Sequence, residues 1–156
     1  MKVLKFGGTS LGSPERFKSV AHLVSSTSEP KLVVLSAISG TTNTLVEIGS
    51  ELLGREADNA MQLSLQLKTH YDEFIDQLFQ QGTARSLAQE FIDKTFQQIY
   101  ALTSTPFGKS REKDLLAQGE IMSTTLFHLY LNSTGINAYL ISALDLIKLN
   151  DIGEPD

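Results

Sequence analysis

Two short apolar runs, VLKF at residues 3–6 and LVVL at residues 32–35, each pass directly into a turn of small and hydroxyl residues. Runs of this length, rich in leucine and β-branched residues, read as buried strands. Between them Ser13-Pro14-Glu15 supplies an N-cap, a proline suited to the first helical position and an acid that complements the helix dipole. Phe17, Val20, Ala21 and Val24 then recur at helical spacing. Strand, helix and strand within the first 35 residues predict a right-handed βαβ unit with parallel strands. Both turns must then leave the same edge of the sheet, the carboxyl edge where open α/β sheets bind ligands.

The first turn follows Lys5-Phe6-Gly7-Gly8-Thr9-Ser10. Glycines let backbone N–H groups approach an anion closely, and a lysine placed within the strand, where an apolar residue would pack better, adds a cation, so the turn suits phosphate; a plain strand, glycine turn and helix entry is the alternative. The run lacks the third glycine of a dinucleotide-binding fingerprint and is not a Walker A loop. Gly108-Lys109-Ser110 imitates the end of a Walker A motif, but Thr103 stands where the first glycine belongs, and a solvated helix start is expected there. The second turn, Ser36-Ala37-Ile38-Ser39-Gly40-Thr41-Thr42-Asn43, brings hydroxyls and a helix N-terminus to one spot, suited to a carboxylate or phosphate; Thr41 or Thr42 could equally serve only as N-cap.

A third signal is Ala117-Gln118-Gly119-Glu120-Ile121-Met122-Ser123-Thr124. Glu120 shares a helical face with Leu116, Ala117, Thr124 and Phe127, so it is expected to be a buried carboxylate that calls for a cation, such as a ligand ammonium; an ordinary surface glutamate is the alternative.

Beyond Thr41 the pattern is helical. Leu45, Ile48 and Leu52 form one stripe, Leu63, Leu67, Tyr71, Phe74, Ile75 and Leu78 a second, and Leu87, Phe91, Ile92, Thr95, Phe96 and Ile99 a third. Gly82-Thr83 reads as the turn of a helical hairpin, and Thr105-Pro106-Phe107-Gly108 as a stop. A further helix is predicted from Lys109 or Ser110 to about Asn132, ending near Gly135, then a third buried strand over residues 138–141 and a loop over 152–156.

Composition narrows the function classes. With 156 residues, 41% of them hydrophobic, and a net charge of -5, the chain suits one globular unit and not a nucleic-acid binder acting through bulk charge. It has no cysteine, which excludes disulfides and thiolate metal sites. His22, His70 and His128 are too scattered for a metal cage, and Asp72, Glu73 and Asp76 are expected on a solvated helix face. No signal-like or bilayer-length apolar segment is present, so a cytoplasmic protein without a membrane partner is expected, and Asn132-Ser133-Thr134 is a chance glycosylation match.

Taken together, Lys5-Phe6-Gly7-Gly8-Thr9-Ser10, Val33-Val34-Leu35-Ser36-Ala37 with Gly40-Thr41-Thr42-Asn43, and Gln118-Gly119-Glu120-Ile121-Met122-Ser123 resemble aspartate kinases of the amino-acid kinase superfamily. The resemblance implies a three-layer α/β/α sandwich with a mainly parallel sheet, the carbamate kinase-like fold, incomplete in this chain. It also implies ATP-dependent phosphorylation of the side-chain carboxylate of L-aspartate, the entry to lysine, threonine and methionine synthesis. By that resemblance Lys5 is catalytic, Lys5, Phe6, Gly7, Gly8 and Ser10 contact ATP phosphates, and Ser36, Thr42 and Glu120 line the aspartate site, Glu120 taking the α-ammonium. The chain has no metal ligands of its own, and Mg2+ would arrive mainly through ATP and residues outside it.

Family members continue with a nucleotide-binding half and ACT regulatory domains. Residues 1–156 are therefore expected to be the amino-terminal portion of a catalytic domain, inactive alone, from a homo-oligomeric parent. A non-catalytic module for an anion or amino acid is an alternative, as is another amino-acid kinase. An N-acetylated substrate would leave Glu120 without a charge to pair.

Overall fold

A computed structural model describes residues 1–147; the loop expected over residues 152–156 lies outside them. Strand β1 (Lys2–Phe6) leads through a 3-10 turn, Gly8–Leu11, into helix α1 (Pro14–Ser25), and strand β2 (Lys31–Leu35) follows. The two strands are parallel, with Leu4 opposite Val33 and Phe6 opposite Leu35. Ser13 caps α1 by accepting a hydrogen bond from the Arg16 amide, as its place before Pro14 predicts.

Four long helices come next: α2 (Thr41–Gly54), α3 (Ala57–Leu78), α4 (Thr83–Leu102) and α5 (Lys109–Ser133), with a single turn α6 (Ala143–Leu146) after them. Helix α2 packs on α3 and α5, and α4 packs on the same two, so the four surround a common core. The break between α2 and α3 is made by Arg55 in the left-handed region at φ 65°, its amide bonding back to carbonyls of the last turn of α2. Gly82, at φ 145°, occupies the N-cap of α4. Gly108 caps α5 and Lys109 and Ser110 are exposed, so the Walker-like triplet is a solvated helix start.

Phe17 joins the βαβ unit to the helices. It is fully buried on α1 and meets Phe74 of α3 edge-on at 5.4 Å and Phe127 of α5 at 5.2 Å between ring centroids.

Three expectations need correction. The strands are not buried on both faces: Leu4, Phe6, Val33 and Leu35 face the core, whereas Val3 and Val34 are 63% and 42% exposed, because among the described residues helices cover one side of the sheet. Residues 138–141 are not a strand. No third strand pairs with the sheet among the described residues, the backbone N–H and C=O of Ala138 are taken by the Asn132 side chain, and Tyr139 is 83% exposed. On α4, Leu87 lies outside the core and Ala88 replaces it, since positions 88, 92, 95, 96 and 99 form the stripe that faces α3 and α5.

The acids of α3 lie on the solvent side as expected, and two of them also form ion pairs. Lys68 donates to both carboxylate oxygens of Asp72, at 2.6 and 2.8 Å, and pairs with Asp93 of α4 at 2.7 Å, while Asp76 pairs with Arg85. Burial alone would lower the Lys68 pKa, but its bonds to Asp72 and Asp93 outweigh it and the net shift is upward. The hydrogen bond from Lys68 is the main cause that holds the Asp93 carboxyl below its ordinary value. A lowered acid contributes stability above its unfolded pKa and loses it as pH falls through the folded one; a raised lysine contributes below its unfolded pKa and loses it as pH rises through the folded one. The α3–α4 seam should therefore hold between the carboxylate and lysine ranges and loosen in acid. Lys68→Met should flatten that acid limb in pH-dependent thermal unfolding.

Phe17→Ala should destabilise the chain by about 3–5 kcal/mol, the range for a fully buried phenylalanine. Denaturant titration measures it, and a loss below about 1 kcal/mol would mean that α1 is not pinned through this ring.

Candidate functional site

Parallel pairing places the carboxyl ends of β1 and β2 side by side, so the two turns are neighbours. The Ser36 amide donates to the Phe6 carbonyl at 3.0 Å, continuing the ladder past the last residue of β2. Gly8 sits against the second turn so closely that a Cβ there would lie 2.9 Å from the Ala37 carbonyl oxygen, closer than side-chain carbons approach. A Cβ on Gly7 would meet nothing within 4 Å, leaving that part of the turn open to a ligand. The turn is internally braced. The Ser10 amide donates to the Gly7 carbonyl at 3.0 Å, and the Arg16 guanidinium donates to the Thr9 carbonyl at 2.8 Å.

The third motif reaches the same place from α5. Gly119 is buried, and a Cβ on it would fall 2.9 Å from the Cβ of Ala37 and 3.4 Å from Thr41 Cγ2. Ala37, 2% exposed, is thus pressed by Gly8 from one side and Gly119 from the other. One turn on, Ser123 Oγ donates to the Ser36 carbonyl at 2.7 Å. All three segments singled out in the sequence converge at this point.

Lys5 is on the open face of β1 and exposed, so its place in the strand is no packing penalty; a lysine there is free to extend toward the strand end. Thr42 is exposed in the first turn of α2, where backbone N–H groups lack intrahelical acceptors. The N-cap role expected of Thr41 or Thr42 falls to Gly40, at φ 89°.

Glu120 departs from expectation. It is exposed, not buried, because α5 turns that face outward at the edge of the second loop, and the carboxylate is already solvated. Its charge still reaches inward. Tyr71, fully buried on α3, shares a 3.1 Å hydrogen bond with Thr41, and its hydroxyl pKa is raised first by burial and further by the Glu120 carboxylate. In the sequence Tyr71 reads only as part of the core stripe; the signal for more was its hydroxyl, which a buried position must satisfy. Ser123 was legible as part of a motif, but its partner was not.

A cavity of about 430 Å³ lies elsewhere, lined by Leu52, Arg55, Leu102, Thr103, Pro106 and Phe107 near the C-terminal end of α2, about 18 Å along that helix from Thr41. Among the described residues no group of three or more His, Asp or Glu could hold a metal ion, and no helix is long and apolar enough to cross a membrane.

The sequence matches the amino acid kinase family over residues 1–154. The chain belongs to the amino acid kinase family. Within that family it is 30% identical to aspartokinase 1, chloroplastic, of Arabidopsis thaliana over 146 residues, 92% of this chain and 26% of the relative. It is 27% identical to lysine-sensitive aspartokinase 3 of Escherichia coli, across 99% of this chain and 34% of that protein. Its fold matches Escherichia coli aspartokinase III, crystallised with aspartate and ADP, with a TM-score of 0.71 and 25% identity over 100% of this chain and 35% of the other. The sheet and helices are thus part of the α/β fold of the amino acid kinase family, and the chain spans about a third or less of these relatives.

Gly119→Ala tests the convergence. The added methyl should cost about 1–3 kcal/mol through overpacking, offset by about 1 kcal/mol from better helix propensity. Thermal unfolding should show a net loss; a gain would mean that α5 does not press on Ala37.

Proposed function

We propose that this chain supplies the phosphate turn and the amino-acid side of an aspartate kinase site, which transfers the γ-phosphoryl group of ATP to the side-chain carboxylate of L-aspartate. The convergence of the Gly7-Gly8 turn, the Ser36–Thr42 loop and the Glu120 helix at one sheet edge carries this reading, together with the kinship to aspartokinases. In the reaction a carboxylate oxygen bonds to the γ-phosphorus, the bond to the β,γ-bridging oxygen breaks, and ADP leaves. The nucleophile is ionised at neutral pH and no general base is needed, so positioning and charge neutralisation are what the protein contributes.

In this reading Lys5 neutralises charge that builds on the transferring phosphoryl group. Phe6, Gly7, Gly8 and Ser10 shape the turn beneath the phosphates. The open space at Gly7 and the exposed Lys5 fit a polyphosphate approaching from solvent. Ser36 and Thr42 contact the amino acid, and the solvated Glu120 carboxylate takes its α-ammonium. The nucleotide enters as its Mg2+ complex, with adenine and most metal contacts made by residues outside this chain. Residues 1–156 accordingly act as an amino-terminal portion of the catalytic domain in a longer, oligomeric enzyme.

In an enzyme carrying the whole catalytic domain, Lys5→Ala should lower turnover far more than aspartate affinity, because its charge counts chiefly in the transition state. Steady-state kinetics separates the two, and normal turnover with weakened aspartate binding would reverse the role. Glu120→Gln should weaken aspartate binding by about 0.2–1 kcal/mol, the range for an ion pair made by an exposed carboxylate. Calorimetry with aspartate and with ATP decides: equal losses for both ligands would point to damaged folding instead.

The 156-residue chain alone should release no aspartate-dependent ADP with saturating ATP, Mg2+ and aspartate. Turnover that disappears in Lys5→Ala would show that one side of the site suffices and would overturn this division of labour between the two halves of the domain.

A further inference from the structure

Four polar side chains are buried among the described residues: Thr41, Ser64, Thr95 and Ser123. Two of them serve their own helix, Ser64 donating to the Ala60 carbonyl at 2.7 Å and Thr95 to the Phe91 carbonyl at 3.0 Å, the ordinary recourse of a hydroxyl in a helix. The other two reach between elements, Ser123 to the start of the loop between β2 and α2 and Thr41 from the first residue of α2, where that loop ends. Ser123 Oγ lies 3.1 Å from the Glu120 carbonyl of its own helix but 2.7 Å from the Ser36 carbonyl. Thr41 Oγ1 bonds the Tyr71 hydroxyl of α3 at 3.1 Å.

These bonds bracket residues 36–41. Between them the Ser36 amide holds the Phe6 carbonyl, Ala37 and Ile38 are buried and the Thr41 amide bonds the Ile38 carbonyl at 3.0 Å, whereas Ser39 and Gly40 are exposed and Gly40 is left-handed, so the two hydroxyl bonds are what tie this stretch by side chains to α3 and α5. A phenylalanine at position 71 would pack against the Phe96 ring, whose centroid is 6.0 Å away, without requiring any polar partner. The hydroxyl is therefore needed for the bond to Thr41, not for the core.

We infer that Tyr71 and Ser123 are positioning residues that clamp the β2–α2 loop at its two ends and so hold Ser36 and Thr42 in place for the amino-acid substrate. The identity of that substrate rests on the function proposed above; the clamp does not. Neither residue touches substrate. Tyr71 acts through Thr41, and Ser123 through the Ser36 carbonyl.

Amide hydrogen exchange and aspartate calorimetry on the full chain test the two parts separately, using Tyr71→Phe, Ser123→Ala and the hydroxyl-retaining Thr41→Ser. Exchange at the amides of residues 36–44 should quicken by about tenfold in the first two, the equivalent of one lost hydrogen bond. Amides in the middle of α3 and α5 should keep their protection, and Thr41→Ser should stay near the parent chain. Aspartate affinity should fall by about three- to tenfold in the same two variants. Unchanged exchange over residues 36–44, or an even loss across all helices, would overturn the clamp. Loop protection lost as expected, with aspartate affinity unchanged by the same substitutions in an enzyme carrying the whole catalytic domain, would uphold the clamp and overturn its role in holding the substrate.

Discussion

The arrangement depends on how little space surrounds Ala37. Its carbonyl oxygen leaves no room for a side chain on Gly8, and its methyl leaves none on Gly119. Packing in protein interiors is dense enough that one methyl at such a point forces backbone to move. The first strand's turn, the second strand's turn and α5 therefore meet at a distance set by backbone and not by flexible side chains. Chemistry that tolerates little misplacement gains from a frame of this kind, because glycine contacts cannot relax by changing rotamer. The bonds from Ser123 to Ser36 and from Tyr71 to Thr41 then fix the loop that the glycines have brought close.

Much of this frame was legible in the sequence. The strand runs, the Ser13-Pro14 helix start and the glycine turns were enough to derive a parallel βαβ unit and to place both turns on one edge, because crossover handedness leaves no other arrangement. What the pattern could not reveal was coverage. Periodicity tells which residues share a face, not whether anything lies on that face. Lys5 and Glu120 were both read as charges among apolar neighbours, and both are exposed, since one side of the sheet and the outer face of α5 are uncovered among the described residues. The same limit explains residues 138–141, whose apolar run matches a strand but pairs with none among the described residues. Tyr71 shows the converse: in a helical stripe it counts as one more apolar residue, and only the fold reveals that its hydroxyl meets Thr41 thirty positions away in sequence.

Charge is distributed in a way that suits the proposed division of roles. The exposed Lys5 and the open glycine turn stand on the β1 side of the edge, while the exposed Glu120 stands on the α5 side, beside the Tyr71–Thr41 pair. Under the proposed function, an amino acid with its ammonium toward Glu120 and its side-chain carboxylate toward the phosphate turn would be oriented by charge before any shape is read.

The bond between Ser123 and Ser36 closes a separation of 87 residues, whereas the hairpins α2–α3 and α3–α4 join neighbours in sequence. Local contacts form ahead of distant ones, because each long loop must lose its freedom before it gains a contact. The site should therefore be among the last features the chain assembles. Substitutions there should act mainly on the rate of unfolding, leaving the speed of folding to the helices.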